Sequence, residues 1–189
     1  MGKFTVIADV GQALVHLLQD SLCPDVVFSP DTVGLCSPAD KGDMVLGIHL
    51  YDVRESQEVR GNEMINQGPS CQRYPSLYLT LSYMITAYSK ADVKYRALEN
   101  QRILGKVIQT LQDHSVLSAD TLTPVNRGAG LDLHIEMLRV DMEERRKIWN
   151  ASSEAYQTSL FYQVSPVEIE STRTRKIQRV VDVGIGGKR

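Results

Sequence analysis

The feature that most constrains the fold is an uninterrupted two-residue alternation at residues 77–88. Leu77, Leu79, Leu81, Tyr83, Ile85 and Ala87 fall on one side, and Tyr78, Thr80, Ser82, Met84, Thr86 and Tyr88 on the other. Side chains in an extended chain point alternately to opposite faces, so this stretch reads as one long β-strand. It is longer than the usual strand of about five or six residues. Its second face is neither charged nor strongly apolar, which suits a surface half-covered by a helix or a partner.

Other segments set their own periods. Val6, Val10, Ala13, Leu14, Leu17 and Leu18 recur at helical spacing and predict an amphipathic helix that Pro24 stops. Gly11 within it weakens it by roughly 1 kcal/mol relative to alanine. A short strand is expected at 25–29, then a loop marked by Pro30, Gly34 and Pro38. Alternation returns at 44–51, with Met44, Leu46, Ile48 and Leu50 on one face. Residues 55–75 carry Gly61, Asn62, Gly68, Pro69 and Pro75 and read as a long polar loop, which in a compact domain is usually functional.

A second helix is expected over 92–113, with Asp92 at its N-cap and Ala97, Leu104, Val107, Ile108 and Leu111 as its stripe. A connector at 115–124 precedes a strand at 131–138, with Leu131, Leu133, Ile135 and Met137 inward. A short helix at 142–151 follows, with Glu143 and Lys147 paired one turn apart and Ile148 and Trp149 as packing residues. Residues 160–164 and 167–169 read as one strand interrupted by Pro166, which confines it to an edge or a bulge. A last β-prone run spans 177–183. The expected fold is α/β: a central mixed, largely antiparallel sheet covered by helices on one face, with a C-terminal β-prone arm.

Length and charge narrow the class. A chain of 189 residues suggests a single domain that needs no metal or disulfide staple. The net charge of −2 argues against wholesale coating of nucleic acid. Residues 172–189 hold six basic side chains against one acid, Asp182, so the arm is +5 and the remainder −7. A basic arm on an acidic body signals docking on a partner, although a frayed solvated terminus has the same composition. We therefore divide the chain at 171/172 into a main domain and a basic arm. The arm's apolar run can be a strand of its own sheet or a strand added to a neighbour's edge. The three cysteines form no CxxC pair, the first residues lack a signal peptide's features, and no apolar run approaches the ~20 residues of a membrane helix.

Signs of catalysis are sparse. No nucleophile elbow, phosphate loop or dinucleotide fingerprint is present. Asp132, His134 and Glu136 alternate on one strand face. Such a trio can bind a metal, but the polar face of any amphipathic strand needs the same residues. Cys36 and Cys71 lie in expected loops with nothing nearby to lower a thiol pKa. Tyr74, Tyr78, Tyr83 and Tyr88 suit packing and interfaces better than base stacking on an acidic body. No catalytic, cofactor or metal residue is assigned, and no nucleic acid or membrane partner is expected.

The opening helix, the strand at 74–83 (YPSLYLTLSY), the helix at 103–111 (ILGKVIQTL), and the pair 148–151 (IWNA) and 156–164 (YQTSLFYQV) occur in a telling order. This ordered set, spanning roughly 5–171, resembles the tail terminator or cap proteins of extracellular contractile injection systems of the antifeeding-prophage kind. The resemblance implies a structural, non-enzymatic subunit built into a phage-tail-like particle, and the cysteine usage leads us to expect reduced thiols and synthesis in the cytoplasm. It implies a homohexameric ring that ends the inner tube and sheath, with tube and sheath proteins as partners and no cofactor. The long C-terminal extension of some relatives is missing from this sequence. The residues expected to make contacts are Arg54, Arg60, Tyr74, Arg173, Arg175, Lys176, Ile177, Arg179 and Val181. A tail or baseplate adaptor subunit, a small metal-dependent hydrolase and a small regulatory binding module are the alternatives.

Overall fold

The structure is a computed structural model, and it describes residues 3–57, 59, 61, 63–118, 122, 131–150 and 155–177. Among the described residues three α-helices and nine strands follow in order. They are α1 (Val6–Leu22), β1 (Val33–Leu35), β2 (Leu46–Glu55), β3 (Ile65–Asn66), β4 (Cys71–Arg73), β5 (Leu77–Ala87), α2 (Val93–Asp113), β6 (Val116–Leu117), β7 (Leu133–Met137), α3 (Met142–Asn150), β8 (Ser159–Ile169) and β9 (Thr174–Lys176). Six strands form a mixed sheet in the order β1-β2-β5-β8-β7-β6, parallel only between β1 and β2. A separate small sheet has the order β3-β4-β9. The expected α/β class, with a largely antiparallel sheet, is what forms.

The alternating strand, β5, lies in the middle. Leu81, Tyr83, Ile85 and Ala87 are buried on one face against α1 and α2, with Ile48, Tyr162 and Val164 beside them. The predicted stripe of α1 faces this core, with Val6, Val10, Leu14 and Leu18 essentially inaccessible. Gly11 has a use there: a Cβ would stand 3.0 Å from Leu35 Cδ1, so the glycine lets β1 approach the helix. Burying the side chains of this one cluster provides the main drive for folding, at roughly 25 cal/mol per Å² of apolar surface removed from water.

The other face of β5 is also covered, at one end. Met84, Tyr88, Val140, Trp149 and Phe161 form a second cluster under α3. Phe161 meets Tyr51 edge-on at 5.7 Å and lies 5.4 Å under the Arg145 guanidinium. Asp141 caps α3 by accepting from Glu144 N–H at 2.8 Å, and the expected Glu143–Lys147 pair closes at 2.7 Å. α1 and α2 cover one face as anticipated, and α3 adds a lid on the second.

Pro166 sits at a bulge. Leu81 pairs with Val164 and Leu79 with Val167, so β8 carries one extra residue where Ser165 and Pro166 stand. Both valines therefore face the core. A second bulge sets Tyr51 outside the ladder between β2 and β5.

Several expectations are corrected. Residues 25–29 do not form a strand: the amides of Val26 and Val27 both donate to Leu22 O, which holds the chain in a turn after α1. The first strand is instead β1, inside the expected loop, because its register opposite Leu46–Ile48 extends the sheet. Residues 55–75 are not a continuous loop but contain the β3–β4 hairpin. The stripe of α2 holds only from Ile103 onward and without Ile108, which is exposed, while Val93, Tyr95, Ala97 and Leu98 are exposed because no described element packs beneath that half. Leu131, which lies before β7, and Met137, its last residue, are likewise exposed, and of the expected inward residues Leu133 and Ile135 reach the core.

Candidate interface

The small sheet gathers residues distant in sequence. Its hairpin turns at Gly68, whose φ of +99° suits glycine, and Gln67 N–H donates to Cys71 O at 2.9 Å. β4 then pairs antiparallel with β9, with Cys71 opposite Lys176, Gln72 opposite Arg175 and Arg73 opposite Thr174. Two further backbone bonds lengthen this pairing, Tyr74 N–H to Arg173 O at 3.0 Å and Ile177 N–H to Ser70 O at 2.9 Å. Strands of two and three residues bury little, so the sheet needs another anchor.

That anchor is an ion pair. Arg73 Nη1 donates to Glu170 Oε2 at 2.5 Å, with the two side chains only 9% and 16% exposed. Arg73 Nε has no hydrogen-bond partner among the described residues. A charge removed from water this far requires its counter-charge, so the pair fixes β4 to the end of β8. Sequence reading missed it, because nothing local links residues 97 positions apart.

Above the anchor the surface is basic. The Arg173 guanidinium lies 4.2 Å from the Tyr74 ring centroid, a cation–π contact that holds it upright. Arg175 and Lys176 are exposed on β9. The structure thus brings Tyr74, Arg173, Arg175, Lys176 and Ile177 together. Arg54 sits elsewhere, on β2 opposite Thr80 and ion-paired to Asp52. Arg60, Arg179 and Val181, and most of the β-prone run at 177–183, lie outside the described residues. β9 itself falls just before that run.

The residues considered for chemistry are placed differently. Burial pushes the Cys36 thiol up, and Asp40 adds to this against Lys41; burial alone raises Cys23. Both shifts oppose the thiolate that a nucleophile needs. Glu136 accepts from Gln163 Nε2 at 2.9 Å, and among the described residues no cluster of three His, Cys, Asp or Glu side chains could hold a metal ion. No described helix is long and apolar enough to cross a membrane.

The surface also exposes large apolar groups. Phe4 and Phe28 are 84% and 93% exposed. A groove of about 490 Å³ lies between α1 and the outer edge of β2. No sequence period distinguishes a buried phenylalanine from an exposed one, so these features were not foreseeable.

The chain was compared with known proteins on this basis. No curated protein matches it. Among solved structures it is similar to the sheath/tube terminator of an extracellular contractile injection system, PVC, in its extended state, with a TM-score of 0.70 and 16% identity over 100% of this chain. It is similar also to the tube-terminating cap of the anti-feeding prophage, with a TM-score of 0.62 and 19% identity over 95% of this chain. The chain spans 65% and 61% of those two proteins. At such identities the likeness is one of fold. The family model described as the Pvc16 N-terminal domain matches residues 9–182, nearly the whole length, so the chain belongs to that family.

Proposed function

We propose that this chain is the terminator, or cap, subunit of a contractile injection system. Copies of it close into a hexameric ring on the last layer of inner tube and sheath and stop their growth. The role is structural and uses no catalytic group or cofactor. The observation that carries this reading is the shared fold over essentially the whole chain with two proteins that terminate tubes. The family membership supports it independently.

The surfaces suit the role. A ring needs a heterologous interface that closes on itself, so each subunit must present two different faces. The basic small sheet is one such face. Exposed charged residues at an edge steer docking onto acidic surfaces more than they stabilise the fold. Tyr74, Arg173, Arg175, Lys176 and Ile177 are the core of this docking surface in our reading, joined by Arg179 and Val181 of the basic arm, residues 172–189. Arg54, which stands apart on β2, and Arg60 are assigned in the same reading to tube or neighbour contacts.

The test is direct. Particles assembled without this chain are expected to show tubes of uncontrolled length or unstable sheaths. Electron-microscopy averages of complete particles should show a six-fold ring of it at the end away from the baseplate. Normal tail length and stability in the deletion, or a location at the baseplate, would overturn the proposal.

A further inference from the structure

β1 covers β2 only from Leu46 to Ile48, and the last backbone bond on that side runs from Cys36 N–H to Ile48 O. Beyond it, from His49 to Glu55, the outer edge of β2 has no partner strand among the described residues. On the other side, Ser56 N–H donates to Tyr78 O. By strand alternation the backbone groups of Val53 and Glu55 therefore point outward, and Leu50 follows Ile48 in doing so. An open edge of this kind accepts an added strand.

A seat lies beside the edge. The groove between α1 and β2 is lined by Phe4, Ile7, Gly11, Leu35 and Leu50, and Tyr83 forms part of its wall. Tyr83 is 1% exposed, and its hydroxyl has no hydrogen-bond partner among the described residues. A buried hydroxyl left unpaired is costly, so a polar group that reached it from the groove its side chain lines would be favoured. Phe4 and Leu35, 84% and 40% exposed, are apolar surface waiting to be covered.

The chain itself carries a matching segment. Twelve residues of sequence follow Ile177, enough to reach ~40 Å when extended. At alternating positions, Arg179, Val181 and Val183 fall on one face. The segment belongs to the +5 arm, and the receiving body is −7, with Glu55 exposed on the edge.

We propose that residues 179–183 of a second copy add to the open edge of β2, taking up the line of β1 where it stops. Val181 and Val183 fill the groove, and Arg179 or the arm's backbone meets the Tyr83 hydroxyl. Each subunit then gives its arm to one neighbour and receives an arm from the other, a head-to-tail contact that closes a ring. This rests on the ring reading above.

The experiment places a photo-crosslinking benzoylphenylalanine at position 181 of the otherwise unchanged chain. Isotopically heavy and light copies are mixed and assembled with tube and sheath. Crosslinked peptides joining 181 of one copy to the α1–β2 groove of another are expected. Crosslinks within one copy overturn the proposal. So does a six-fold ring in which position 181 reacts elsewhere, and in that case the cap reading stands. A chain that never leaves the monomeric state overturns both. A second variant, Tyr83→Phe, should raise the melting temperature, because it removes an unpaired buried hydroxyl. The same variant should loosen the ring roughly two- to tenfold, because the arm loses its partner. Unchanged ring strength in Tyr83→Phe overturns the groove as the seat.

Discussion

The two sheets of this protein are held by different forces. The six-stranded sheet is buried on both faces around β5 and β8, and its strands run to 11 residues. The three-stranded sheet has strands of two and three residues, with every residue of β3 and β9 exposed to solvent. Apolar burial makes the first self-sufficient, whereas the Arg73–Glu170 ion pair, a few hydrogen bonds and the Arg173–Tyr74 contact hold the second. The difference teaches where the molecule ends as a folding unit and begins as a component. A sheet that buries almost nothing of its own is economical only if another surface covers it.

Variants can break or sharpen this contrast. The largest effect is expected in the large sheet. Phe161→Ala empties a site between Met84, Trp149 and Tyr51 and should cost about 3–5 kcal/mol, seen as a fall in the denaturation midpoint. If it costs under 1 kcal/mol, the second cluster is not part of the stabilising core.

Next comes the anchor of the small sheet. Arg73→Ala leaves Glu170 buried without its counter-charge and should cost roughly 2–3 kcal/mol, somewhat below a fully buried pair because both groups keep some access to water. Replacing both as Arg73→Met with Glu170→Leu should restore most of the loss. Equal stability for the single and double variants would deny the anchor.

The exposed basic residues should behave oppositely. Arg175→Glu with Lys176→Glu should change folding stability by no more than about 0.5 kcal/mol. Ring assembly, read by sizing with light scattering in the presence of tube and sheath, should weaken markedly. An unfolded double variant would place these residues in the folding unit.

The smallest effect is that of pH. Burial holds the His49 imidazole below its ordinary pKa, so the folded state resists its protonation. The unfolded chain binds that proton first as pH falls through about 6.5, so stability present at pH 7.5 declines on acidification. His49→Gln should flatten this part of the melting temperature profile between pH 7.5 and 5.5.

Much of the large sheet was legible in sequence, for local reasons. β5 declared itself by alternation, α1 by its stripe, and Pro166 by its missing donor, which left only an edge or a bulge. The structure resolves that choice: β8 is an inner strand, and the proline sits at its bulge. The candidate interface was legible only in part. The charge of the arm was visible, but its neighbours on β4 were not, since the pairing of Cys71 with Lys176 spans a hundred residues of intervening chain.

The sequence by itself determined the long elements, α1, β2, β5, β7 and the α2 and α3 helices, and the apolar face of α1 and β5, because those follow from steric periods two to four residues long. Only the tertiary structure decided that β1 forms where a loop was expected and that Arg73 finds Glu170. It also decided that α2 outruns its partners and that, among the described residues, β2 is left with an open edge beside a tyrosine hydroxyl without a hydrogen-bond partner. These depend on which distant surfaces meet and which are left uncovered, and no local period carries that information.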